Sequence, residues 1–173
     1  MQLIDKAMLS SSAILILTIL HHLYGAIIYS TPWRAHVVFF AGPVLLLLGA
    51  AWLINRGSKA GIARTISKWV FVLASATVAV GLIGLFEGGY NHVLKNLFYF
   101  GGASAETLST LFPQPTYEMP DDALFEITGV GQFFIAVWSA FHLVDLIRTG
   151  RGDSDDMTRM NVDRNLGEAV RNV

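Results

Sequence analysis

The stretch MLSSSAILILTILHHLYGAIIYS, residues 8–30, decides the fold class. It holds no Asp, Glu, Lys or Arg, and it exceeds the roughly 20 apolar residues that a helix needs to cross the hydrocarbon of a bilayer. Inside it Thr18, His21, His22, Gly25 and Tyr29 recur at i, i+3, i+4, i+7 and i+11, which is one face of a helix. The opposite face is Leu, Ile and Ala. A polar stripe on such a span belongs in the interior of a bundle, because polar groups turned to lipid lack partners. His21 and His22 are neighbours and point about 100° apart on a helix. One can face the bundle axis while the other faces an adjacent helix, and the pattern leaves open which does.

Three more stretches read as spans, at about 36–54, 69–87 and 123–147. The chain of 173 residues is 53% hydrophobic and only 14% charged, against roughly a quarter charged in a soluble domain. Lipid is the solvent that suits it. The run after Lys6 continues to about Tyr29 without a small-x-small exit, which reads as a span and not as a cleaved leader. The expected fold is all-α: a four-transmembrane-helix bundle over residues 1–150, followed by a polar tail at 151–173. Within the tail Arg151–Asp156 reads as a linker and about 157–170 as a short helix.

Lysine and arginine set the orientation. Arg56, Lys59, Arg64 and Lys68 crowd the second connection, and Arg148, Arg151, Arg159, Arg164 and Arg171 follow the fourth span. The first and third connections hold only Arg34 and Lys95. The positive-inside rule then places both termini in the cytoplasm, in a membrane such as the bacterial inner (plasma) membrane.

The third connection, about 88–122, reads as a helical and extended cap. Tyr90–Phe100 has the look of an interfacial helix ended by Gly101-Gly102. Ser104 is placed to cap a second short helix, and the prolines of 112–120 forbid a third. Asp121 or Asp122 then caps the fourth span.

The formal net charge of −1 offers no basic face for nucleic acid. The absence of cysteine excludes disulfides, thiolate metal sites and thiol catalysis. No nucleotide, kinase, hydrolase or zinc-protease signature is present; Gly84-x-x-x-Gly88 is a packing spacing within a span. Thr77, Gly81, Gly84 and Gly88 share a face of an α-helical third span, and such stripes let helices approach closely.

What remains is a set of ionisable residues at the non-cytoplasmic end: His21, His22, His36, Glu87, His92 and Glu126. Ionisable groups at membrane depth are costly and default to function. The expected metal ligands are His21, His22, Glu87, His92 and Glu126, with Glu87 or Glu126 as a base if the site is catalytic. His36 stands at the start of its span, as an interface residue. Glu87 and His92 are five residues apart, which on an α-helix puts them on different faces unless Gly88-Gly89 bends the chain. Imidazole and carboxylate donors suit a divalent transition metal: zinc, iron, manganese or copper. The spacing is not the Glu-x-x-His repeat of di-iron bundles. Haem is disfavoured, since His142 lies near the other end of its span from His21 and His22. His142, Asp145 and Arg148 read instead as a local network.

Two other readings stay open at this point. The same residues can bond one another and fix helix packing, in an accessory subunit of a larger membrane complex or in a homo-oligomer. They can also line a wet cavity in a binder of lipid or another small molecule.

Overall fold

The computed structural model describes residues 1–114 and 116–171, the stretch 150–171 by its backbone alone. Pro115, Asn172 and Val173 lie outside the described residues. Among the described residues there are helices and no strand. The elements are α1 (Leu3–Ile28), a 3₁₀ turn (Pro32–His36), α2 (Val37–Gly57), α3 (Ile62–Ala74), a π-helical segment (Ser75–Leu94), α4 (Lys95–Phe100), α5 (Ala105–Leu111) and α6 (Ala123–Arg171). Four helices are long and apolar enough to cross a membrane: Leu3–Ile28, Pro32–Gly57, Ile62–Phe100 and Ala123–Thr149.

Two boundaries differ from the sequence reading. α3, the π segment and α4 form one continuous helix, so Tyr90–Phe100 prolongs the third span and is not a separate interfacial helix. Gly88-Gly89 does not break it. Gly101 and Gly102, the latter at φ +82°, do end it. α6 likewise continues through the expected linker to Arg171, a stretch that holds no proline. The caps are as expected: Ser104 accepts the Thr107 amide, and Asp122 accepts the Phe125 amide at 2.8 Å.

α1, the π segment and α6 pack together, while α2 lies against α1 and α3. Ile14, Leu15, Ala79, Ile83 and Ala136 are buried in the middle of the bundle. The outside is apolar as well: Phe39 is 83% exposed, Leu46 76% and Phe141 65%. An aqueous core would leave few such residues outside, whereas hydrocarbon accepts them all.

The π segment sets the register of the site. Its buried residues are Ser75, Ala79, the adjacent pair Ile83 and Gly84, Gly88 and His92, so that burial recurs every four to five positions. An α-helix, at 3.6 residues per turn, would scatter that series around its circumference. With i→i+5 hydrogen bonds the turn is wider and the series forms one stripe. The stripe expected from α periodicity is therefore replaced: Thr77 is exposed, and Ser75, Ala79, Gly84 and Gly88 face inward. A Cβ on Gly84 would fall 2.0 Å from the Cβ of Ala136, and one on Gly88 would fall 2.6 Å from the Phe133 amide nitrogen. The missing side chains let α6 meet the π segment backbone to backbone.

At the end of the bundle away from α5, Arg56 pairs with Asp5 at 2.6 Å and Trp52 donates to the same carboxylate at 2.9 Å. Asn55 bonds the Arg64 carbonyl at 3.0 Å. His142 stands edge-on to Trp138 with ring centroids 5.2 Å apart. Its Nε2 has no partner among the described residues, so the expected His142–Asp145 pair is not formed.

Candidate metal centre

At the other end of the bundle the three-helix packing brings His21, Glu87 and His92 together. One donor atom from each lies within 4.8 Å of the others. The imidazoles of His21 and His92 are edge-on to each other, their centroids 4.7 Å apart. Each Nε2 is 3.9 Å from Glu87 Oε1. Two donors that share an ion through bonds of about 2.1 Å stand about 3.4 Å apart at the tetrahedral angle and at most about 4.2 Å apart. The two imidazole-to-carboxylate distances fall inside that limit.

The π helix explains how Glu87 and His92 converge. Five residues on an α-helix turn the chain to about 140° off the starting face. An i→i+5 hydrogen bond instead stacks such residues one above the other. No bend is needed.

Hydrogen bonds behind the rings orient them. Thr128 gives its single hydroxyl proton to the backbone carbonyl of Leu124 or Phe125, at 2.8 and 3.0 Å. Its oxygen is 2.9 Å from His21 Nδ1. That nitrogen must therefore donate, which leaves His21 Nε2 with a lone pair. Nε2 is buried and bonds to no described residue. His92 Nδ1 is 2.9 Å from Glu126 Oε2 and donates to it, so in the neutral ring its Nε2 presents a lone pair towards Glu87. Glu126 is in turn held by Lys95, whose Nζ stands 2.8 Å from its other oxygen and 2.5 Å from the Glu118 carbonyl. A carboxylate behind an imidazole is the usual arrangement around bound metal. Asn91 donates to Glu87 Oε2 at 3.2 Å and fixes the remaining donor.

Glycines make the room. A Cβ on Gly129 would lie 2.3 Å from the His92 ring, and one on Gly25 would lie 2.5 Å from Phe125. Phe125 fills that hollow and stacks on His21 with centroids 4.0 Å apart.

Charge accounting singles out Glu87. Lys95 is matched by Glu126 at 2.8 Å, and buried Arg34 by Glu118 at 3.1 Å. Glu87 is left among three imidazoles, two of which, when neutral, turn a lone pair towards it. A carboxylate so placed needs a cation: a protonated imidazole or a metal ion.

The remaining expected ligands fall as follows. His22 Nε2 is 3.4 Å from Glu87 Oε1, while its Nδ1 is buried without a described partner. Glu126 is beside the site, but its two oxygens are taken by His92 and Lys95. His36 is apart from the cluster and bonds the Trp33 carbonyl. Lys95, Thr128, Asn91, Arg34 and Phe125 were not picked out from the sequence. With the third span ending at Glu87, Lys95 falls in the expected interfacial helix; its signal is a lone cation inside a helix that runs on to Phe100.

The sequence matches no protein-family model, and neither a curated protein nor a solved structure was found to be similar to it.

Proposed function

We propose that this chain is an integral membrane protein that holds a divalent transition metal at His21, Glu87 and His92, near the non-cytoplasmic face of its bundle. One observation carries the reading: Glu87 Oε1 stands among imidazole nitrogens, and the rings of His21 and His92 are each aimed at it by a hydrogen bond on the far side. Two imidazoles and a carboxylate are a donor set that zinc and iron(II) both accept with positions to spare. The four long apolar helices and the outward Phe and Leu side chains support insertion in a bilayer.

The test is metal analysis of the detergent-purified protein beside Glu87→Ala and His92→Ala. The expected result is about one transition-metal ion per chain in the natural sequence and a loss of at least about 100-fold in affinity in both variants, more than disturbing an outer partner costs. No metal in the natural protein, or the same content in all three, contradicts the proposal.

A further inference from the structure

Beside the centre, under the segment that joins α5 to α6, lies a polar hollow of about 20 Å³. Glu87, Asn91, His92 and Lys95 line it from the third span, and Arg34, Tyr117 and Glu118 line it as well. A space of this size admits about one water molecule, provided polar partners surround it. Two such partners are uncommitted. Asn91 spends its amide group on Glu87, while its Oδ1 is buried with no partner among the described residues. Tyr117 packs its ring edge-on to Tyr90 and Phe112, and its hydroxyl bonds no described residue. A tyrosine hydroxyl is protonated at neutral pH and can donate.

An acceptor and a donor thus stand free next to two of the three metal donors. We infer that the cation bound by His21, Glu87 and His92 keeps one coordination position open towards this hollow, and that the position takes an exogenous water exchangeable for a small monodentate anion. The inference rests on the metal reading and deepens it. A structural metal site is closed by four protein donors, whereas a catalytic one keeps a place for water or substrate. The hollow also bounds the ligand, since a molecule of many atoms cannot enter while Tyr117 is in place. Lys95 and Arg34 in the same wall are already matched by Glu126 and Glu118, so the preference for an anion comes from the bound cation itself.

The experiment loads the full-length, detergent-purified protein with cobalt(II), follows its visible spectrum and titrates with azide, alongside Tyr117→Phe. The expected result is a saturable spectral change. In Tyr117→Phe the azide affinity falls about three- to tenfold, the scale of one lost hydrogen bond, while cobalt content is unchanged. A cobalt spectrum that azide does not alter means a closed centre, which overturns the inference and leaves the metal reading standing. An azide response of equal affinity in Tyr117→Phe places the open position elsewhere and also overturns it. Failure to bind cobalt at all contradicts the metal reading, and the inference falls with it.

Discussion

The first two membrane-length helices, Leu3–Ile28 and Pro32–Gly57, have the same length of 26 residues and are both strongly apolar, yet they are put to different uses. α1 buries Ser10, Ser11, Thr18, His21 and Gly25 against α6 and the π segment. Ser11 bonds Ser139 across the interface at 3.1 Å, and His21 meets Thr128. α2 buries Val37, Ala41, Leu48 and Ala51, and its one buried polar residue, Asn55, closes the connection to α3. Its outer face, with Phe39 and Leu46, meets no other helix. Both helices are apolar enough to span a membrane, so apolarity does not separate them. What separates them is the periodic placement of the few polar residues, since a bundle in lipid gains little from burying one more leucine and much from satisfying a histidine.

That contrast can be broken most forcefully at the back of the site. Glu126→Gln keeps an acceptor for the His92 proton but removes the charge that answers Lys95. Metal affinity should fall about 10- to 100-fold, the usual cost of losing an outer partner of a ligating histidine, as read by competition with a chelator. Unchanged affinity would mean that Glu126 does nothing for His92. Next comes Gly129→Ala. The added Cβ would stand 2.3 Å from the His92 ring, which must then move. A destabilisation of about 1–3 kcal/mol is expected, seen as a lower thermal midpoint together with weaker metal binding.

Gln132→Leu acts in the opposite direction. Gln132 is fully buried, and neither atom of its amide has a described partner. A leucine of similar volume should raise stability by about 1–3 kcal/mol, the cost of an unsatisfied buried polar group, and chemical denaturation would show it. The smallest effect belongs to α2: Leu46→Ala, at a position 76% exposed, should leave both metal content and stability unchanged within about 0.5 kcal/mol.

The helical class, the number of helices long enough to span a membrane and the candidacy of His21, Glu87 and His92 could be read from residues alone, though not how Glu87 and His92 meet. Length and composition set the first two. The α-helical stripe of Thr18, His21, His22 and Gly25 led to the third. The sequence pattern concealed the helical pitch. Read at 3.6 residues per turn, Glu87 and His92 diverge and Thr77 lines up with Gly84; read at the wider π turn, Glu87 stacks on His92 and Thr77 turns outward. The π segment also carries the helix past Gly88-Gly89, so that Lys95 enters the interior and not an interfacial helix. Thr128 and Asn91 gave no warning because a hydroxyl or an amide on a helix is unremarkable until its partner is known. The expected linker at 151–156 fell to continuous helix for the plainer reason that no proline stops it.

The most direct test of the account is an anomalous-diffraction map of crystals of the purified protein, recorded on both sides of the absorption edge of the metal found in it. The account predicts one strong peak about 2.0–2.2 Å from His21 Nε2, Glu87 Oε1 and His92 Nε2 alike. A map with no peak there, and with an imidazole N–H donating directly to Glu87, would contradict it.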